Sequence, residues 1–303
     1  MALFIEQMLN GLQFGLMLFL MAAGLTLVFG VMGLINLAHG SLYMIGAFFC
    51  AAVGAATGNF WLGVAGGIAA AAAAGALIEV AVIRRLYRRD HLDQVLATFA
   101  LILILSESMR LIFGPFPLYV NIPQGLSGSI DFGLFQFSRY RLALIVAGLA
   151  VGLGLWLLIA RTRLGIRIRA GESDREMIAA LGVNIGVLYT VVFALGAGLA
   201  GLAGALVGPI QSVQVGMGEP VLILAFVVIV VGGIGSIKGA LVGALLVGVI
   251  DTMGRAYAPG IAGLWFDPAQ ARGVGAAVAS ILVYLLMALV LIFRPRGLFP
   301  AHG

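Results

Sequence analysis

Apolar stretches of about 20 residues recur along the whole of this 303-residue chain, and about 20 residues is what an α-helix needs to cross roughly 30 Å of hydrocarbon. With 62% hydrophobic and only 10% charged residues, a water-soluble fold has no way to hide so much apolar surface. A membrane β-barrel is excluded because its strands alternate polar and apolar at every second residue, whereas Ala, Leu, Val and Gly run continuously here. The class that follows is all-α: a polytopic helical membrane protein with about eight or nine membrane segments, one or two of them interrupted, forming a single transmembrane domain over residues 1–303.

The expected segments are 8–30, 38–57, 62–83, 93–113, 141–160, 187–208, 219–231, 239–254 and 273–293. The net charge of +5 does not indicate nucleic acid, because the basic residues form short clusters between apolar spans rather than one face of a soluble module. If all the segments cross, most of the 17 Lys and Arg fall on one side: Arg84, Arg85, Arg88, Arg89, then Arg161, Arg163, Arg167, Arg169, Arg175, then Lys238, Arg294 and Arg296. The other side or its helix ends hold Arg110, Arg139, Arg141, Arg255 and Arg272, so the positive-inside rule makes the first side cytoplasmic. The N-terminus is then extracytoplasmic, the C-terminus cytoplasmic, 114–140 an extracytoplasmic loop and 161–186 a cytoplasmic one. No Lys or Arg precedes the first apolar run, so a cleavable signal peptide is not expected. Cys50, the single cysteine, rules out an intrachain disulfide.

Two places interrupt the apolar pattern. The segment 219–231 is too short to span alone and is followed by Gly232, Gly233, Gly235 and Ser236; whether 219–254 makes two crossings, a re-entrant hairpin or one broken helix stays open at this level. Between the first two apolar runs lie Asn36, His39, Gly40 and Ser41. A shift of 199 residues overlays Ile35 on Ile234, His39 on Lys238, Gly40 on Gly239 and Leu42 on Leu241, the pattern of a loose parallel repeat. Broken backbone at membrane depth is tolerated only inside protein or beside a water-filled cavity. Asn36 and His39 therefore have two readings, as the lining of a solute pathway or as helix-end groups bonding freed backbone. Lys238 reads as a side chain snorkelling to headgroups.

The segment 161–183 carries a helix signal. Ser173 with Glu176 three residues later forms a capping box and Gly182 a stop, giving a short amphipathic helix whose Met177, Ile178, Ala180 and Leu181 offer an apolar face to a partner. A plain topological connector is the alternative. Gly196, Ala200, Gly204 and Gly208 fall on one helix face and read as close helix packing. There is no P-loop, no nucleophile elbow and no metal-ligating cluster, so neither a cofactor nor a metal is expected. Glu79, Glu107, Glu219 and Asp251 lie mostly near segment ends, with Arg110 and Arg255 placed to pair with Glu107 and Asp251, and so do not form a proton relay.

INLAHGSLYMIGAF (35–48), IRAGESDREMIAALGVNIGVLYTVVFALGAGLAGLAGAL (168–206), VVGGIGSIKGALVGALLVGV (230–249) and FRPRGLF (293–299) together resemble the LivH-type permeases, membrane subunits of bacterial ABC importers for branched-chain amino acids. The resemblance implies a LivM-type second permease subunit, two LivG- and LivF-type ATPases in which ATP is hydrolysed, and a periplasmic binding protein that delivers the substrate. It also implies that Ser173, Glu176, Met177, Ala179, Ala180 and Gly182 couple to the ATPases, since Glu176 and Gly182 keep the six-residue separation of the ABC-importer EAA loop while Met177 and Ile178 replace its two alanines. Asn36, His39, Gly40, Ser41, Gly232, Gly233, Gly235 and Ser236 would line the route. The rival reading is a self-sufficient secondary transporter or channel; within the family, urea and short amides are further substrates to consider.

Overall fold

The computed structural model describes residues 2–87, 89–133 and 135–299, leaving aside the side chains of Arg175 and Ala269. Every expected segment is a helix: α1 (Ala2–Met32), α2 (His39–Thr57), α3 (Phe60–Ala81), α4 (His91–Phe113), α5 (Arg139–Arg161), α8 (Ile185–Val207), α9 (Gly218–Gly232), α10 (Ile237–Ala262) and α11 (Pro268–Phe293). Among the described residues eight helices are long and apolar enough to cross a membrane, and α9, with 15 residues, is shorter. Their starts are written in local chemistry. Asn59 accepts from the amides of Trp61 and Leu62, Asn184 from Val187 and Ser236 from Gly239, each satisfying a donor that the first helical turn leaves free. Gly58, at φ 65°, closes α2 in the left-handed conformation.

Three features depart from the sequence reading. Residues 163–173 are helical (α6, Arg163–Ser173), started by the Thr162 hydroxyl accepting from the Gly165 amide, and a second short helix follows (α7, Arg175–Ala180). The loop 114–140 contains a two-stranded antiparallel hairpin, β1 (Ser129–Asp131) and β2 (Gln136–Ser138), with Ile130 opposite Phe137. Finally, α10 runs past the expected end at 254 and through Pro259. A proline there lacks only one donor, and its ring is accommodated because Gly275 of α11 lies directly against it.

The chain forms two compact units, one of residues 1–22, 124–150 and 224–303, the other of residues 23–123 and 151–223, so that α1, α5 and α9 each contribute to both. In the first unit α1 and α10 cross at glycines: a Cβ on Gly11 would lie 2.8 Å from Val249 Cα, and one on Gly15 2.7 Å from the Ala244 carbonyl oxygen. Antiparallel packing of α9 and α10 sets Gly243 under the Val228 carbonyl and Gly232 against Gly239, which makes 219–254 a helical hairpin and not one broken helix. The last described residues return to this hairpin, where the amides of Leu298 and Phe299 donate to the Val231 and Gly232 carbonyls at 2.9 and 2.8 Å, bonding acceptors that the end of α9 leaves open.

In the second unit α2, α3 and α8 pack through small residues. Gly46 meets Gly201 backbone to backbone, Gly204 lies under the Tyr43 carbonyl, and Gly63 sits where a Cβ would be 2.6 Å from the Cys50 carbonyl oxygen. The Gly196 row on α8 therefore serves close packing, as the spacing indicates, with Gly196 facing Gly24 of α1. In its most apolar stretch α1 is 83% buried against 17% for α11 and 22% for α4 and α5, so the last three leave most of their apolar surface uncovered.

A Leu at Gly46 would place side-chain atoms inside the α8 backbone. We expect Gly46→Leu to cost about 3 kcal/mol or more, as overpacking does when backbone must move, and to lower the melting temperature in detergent, whereas Gly125→Ala, in open space, leaves it unchanged.

Candidate functional site

Between α1 and α2 the chain leaves the helix at Gly33 (φ 65°) and re-enters it at His39. Asn36 directs the re-entry: its Oδ1 accepts the Ala38 amide at 3.1 Å and its carbonyl accepts the His39 amide at 3.3 Å. The helix-capping reading of Asn36 is thus seen in the structure, but it uses only one end of the side chain. The Asn36 Nδ2 group is buried with no hydrogen-bond partner among the described residues, in a side chain with no exposed surface. His39 is equally buried, and its Nε2 lies 3.0 Å from where a Cβ on Gly24 would be. Gly24 in turn faces the carbonyl of Gly196, at the centre of α8. The break therefore lies near the middle of a membrane-long helix, where polar groups are costly without a protein or water environment.

One residue further on, Gly40 lies against Gly218, a Cβ on Gly40 falling 2.7 Å from the Gly218 carbonyl oxygen. Gly218 is the first residue of α9, so the beginnings of α2 and α9 meet here, with the amides of Ala38, His39, Ser41 and Leu42 at the one and of Glu219 at the other already bonded to local oxygens. Glu219 lies at a helix end as expected, exposed in the first turn of α9, but among the described residues no ion pair involves it, whereas Glu107–Arg110 and Asp251–Arg255 pair at 3.4 and 2.8 Å as expected. The signal was present in the Gly216-Met-Gly-Glu-Pro220 run, a start sequence with an acid and a proline at its head. Ser41 follows within the first turn of α2 and is buried.

The second candidate group belongs to the other compact unit. Gly233 and Gly235 adopt φ 110° and 84°, which only glycine takes without strain, and they turn the chain from α9 into α10. Gly232 is held against Gly239, and the Ser236 hydroxyl accepts the Gly239 amide at 3.1 Å. Each of these residues is explained by the hairpin itself, and Lys238 beside them is exposed. The residues matched by the internal shift occupy alike places, Gly40 and Gly239 each lying near the start of a helix against another glycine's backbone.

In the segment 161–186 the Ser173–Glu176 capping box does not form. Ser173 is the last residue of α6, and Asp174 caps α7 instead, its Oδ1 accepting from the amides of Glu176 and Met177 at 3.0 and 2.9 Å. A carboxylate one residue closer reaches these donors directly and adds a favourable interaction with the helix start. Gly182 is a stop as expected: at φ 87° its amide bonds Ala179 and that of Val183 bonds Ile178, the paired bonds of a Schellman ending. Ile178 faces inward, only 5% exposed, so it is not available to a partner as the sequence reading had it; Met177 and Leu181 are 59% and 76% exposed, and Glu176, Ala179 and Ala180 are exposed beside them.

Among the described residues no group of three His, Cys, Asp or Glu is placed to hold a metal. A cleft of about 650 Å³ between α10 and α11, lined by Met253, Tyr257, Trp265, Phe266, Val278 and their neighbours, is almost wholly apolar and offers nothing to a charged solute.

The family described as branched-chain amino acid transport system / permease component matches residues 7–293. The high-affinity branched-chain amino acid transport system permease protein BraD of Pseudomonas aeruginosa is 32% identical over 97% of this chain and 95% of its own length. The corresponding protein LivH of Escherichia coli is 30% identical over the same shares. The ribose import permease protein RbsC of Escherichia coli is 30% identical over 77% of this chain and 72% of its own. No solved structure matches.

Because Asp174 alone holds the first donors of α7, Asp174→Ala should remove about 1 kcal/mol of local stability. Hydrogen exchange at residues 176–181 is then expected to quicken about five-fold while α8 is unaffected, that free energy corresponding to roughly a factor of five.

Proposed function

Since the chain belongs to the family of permease components of branched-chain amino acid transport systems, we propose that it is the membrane-spanning subunit of an ATP-driven importer in a bacterial cytoplasmic membrane, passing branched-chain amino acids handed over by a periplasmic binding protein. Its partners in this reading are a LivM-type second permease and two ATPases of LivG and LivF type, which hydrolyse the ATP. The observation that carries it is one continuous path of structure. An exposed, doubly terminated helix, α7, runs through four residues into α8, and the centre of α8 stands beside the break at Asn36 and His39.

A branched-chain amino acid is a zwitterion with an apolar side chain, so its route needs polar groups at membrane depth without a deep trap. The positive dipole ends at the starts of α2 and α9 suit a carboxylate, and the exposed Glu219 suits an ammonium group. Asn36, His39, Gly40 and Ser41 border this place, and we assign the Gly232–Ser236 turn to the cytoplasmic end of the route. The N-terminus is extracytoplasmic and the C-terminus cytoplasmic in this reading. Its support is the distribution of Lys and Arg together with the tail at Leu298, which lies at the same end of its unit as the turn before Lys238. The family match favours this function over a self-sufficient transporter or channel.

Two measurements test the reading. With Cys50 replaced by Ala, a cysteine at position 36 is expected to react with small aqueous thiol reagents at rates differing at least about ten-fold between nucleotide-free and ATP-bound importer, because a two-state path shifts by its coupling free energy; equal protection in both states would remove Asn36 from the route. Ala179→Arg, which sets a bulky charge on the exposed face of α7, should abolish co-purification of the ATPases and leucine uptake in vesicles while leaving membrane insertion intact. Full assembly and uptake in that variant would reduce α7 to a connector, and uptake of ribose, urea or a short amide in place of leucine would reassign the substrate.

A further inference from the structure

Glu79, in the last turn of α3, has a side chain with no exposed surface. A carboxylate taken out of water persists only when its lone pairs are satisfied, and here four bonds converge on it. Oε1 accepts from Arg84 Nε at 3.2 Å and from the Tyr87 hydroxyl at 2.8 Å; Oε2 accepts from Arg84 Nη2 at 2.9 Å and from the Thr190 hydroxyl at 2.6 Å. Arg84 Nη2 also donates to Thr190 Oγ1 at 2.8 Å and to the Gly186 carbonyl at 3.4 Å. Burial and the bond to Glu79 push the Tyr87 phenol up, so it remains a donor.

The place of this cluster matters as much as its strength. Glu79, Arg84 and Tyr87 belong to the end of α3 and the turn after it, whereas Gly186 and Thr190 are in the first turns of α8, immediately after the α7 segment. Elsewhere α3 and α8 meet through small apolar residues, Gly75 on Ala197 and Gly201 on Ala71, contacts made by van der Waals packing. Among the described residues the Glu79 cluster is the hydrogen-bonded tie between the two helices. It also has a pivot. Thr190 has a single hydroxyl proton, and that proton has two acceptors within reach, Glu79 Oε2 and the Gly186 carbonyl of its own helix at 2.9 Å. Thr190 can therefore exchange acceptors while the Glu79–Arg84 ion pair stays intact.

We propose that Glu79 is a positioning residue for energy coupling: it ties the start of α8 to α3 so that displacement of α7 carries both helices, and with them α2 and the Asn36–His39 break, instead of being lost in sliding between α3 and α8. This rests on the importer reading. Glu79 touches no substrate in it and acts through α8.

The test uses the complete importer in vesicles, reading leucine uptake per ATP hydrolysed beside the melting temperature. Thr190→Val keeps the shape of the side chain and removes the hydroxyl's bonds to Glu79 and Arg84, leaving only the longer Arg84–Gly186 carbonyl bond at 3.4 Å between the cluster and α8; Glu79→Gln keeps the shape and removes the charge. Both are expected to retain the ATPases and continue to hydrolyse ATP while uptake per ATP falls about five- to ten-fold, a range usual for residues that link coupled sites. Thr190→Ser, which restores the hydroxyl, should return the ratio to that of the unsubstituted chain. An unchanged ratio in Thr190→Val overturns the proposal. So does a fall in hydrolysis and uptake together with the melting temperature, or a failure of Thr190→Val to insert, since each makes the cluster a fold element only. Failure of the unsubstituted chain to retain ATPases would instead remove the importer reading, and this proposal with it.

Discussion

The rest of this structure depends on the approach of helix backbones at glycine. In a bilayer the lipid tails are as apolar as leucine, so burying leucine between helices gains little, and helices associate through close van der Waals contact and the hydrogen bonds that such contact allows. Gly46 on Gly201, Gly204 under Tyr43, Gly15 at Ala244 and Gly232 on Gly239 are the places where this happens. These contacts set how near the helices come, and through that which polar groups end up next to each other. Asn36 and His39 can be fully buried because α1, with Gly24 facing Gly196, leaves no room for lipid or a larger side chain between the helices.

That same economy explains why the chain can leave the helix at membrane depth. A helix break frees amide and carbonyl groups, and in hydrocarbon each would be prohibitive. At 33–38 the freed groups are met by Asn36 and by a return to helix within six residues; at 232–236 they are met by Ser236 and by the amides of Leu298 and Phe299 arriving from the end of the chain. The two breaks are solved differently. One leaves a buried side-chain amide without a partner among the described residues, and at the other the Ile229, Val231, Gly232 and Gly233 carbonyls are bonded by the hairpin itself and the returning tail.

Much of the architecture was legible in the sequence because membrane spans are written in long apolar runs, and nine such runs became nine helices. Glycine spacing on α8 and the stop at Gly182 were equally readable, since both follow from local backbone geometry. What stayed hidden depends on neighbours remote in sequence. The run of α10 past the expected end at 254 depends on Gly275, which makes room for Pro259, and Ser173 reads as a cap only while the preceding residues are not taken as a helix of their own. The depth of Glu219 could not be read either. Distance along the chain put it at the end of a span, but Gly218 packs on Gly40, so α9 begins inside. Of the candidate site, the residues at 36–41 were found by their polarity in an apolar setting, whereas Glu79 gave no sign of its role, because its partner Arg84 lies beyond the helix end and Thr190 is more than a hundred positions away.

The length of α9 ties these observations together. At 15 residues it rises about 22 Å, short of the roughly 30 Å of hydrocarbon, so one of its ends must lie within the membrane. The carboxyl end is fully bonded by the tail and cannot be the buried loose end without stranding Ser236 and Lys238 in hydrocarbon, where the ammonium of Lys238 would have no partner. The amino end is the one that fits: the Glu219 amide bonds the Gly216 carbonyl, Pro220 has no donor to satisfy, and the start of α2 stands there. A helix of full length in this position would carry Glu219 out toward the headgroups. The shortness of α9 is thus the physical condition for a polar place inside an otherwise apolar chain, and the glycines at 40 and 218 are what let a second helix start share it.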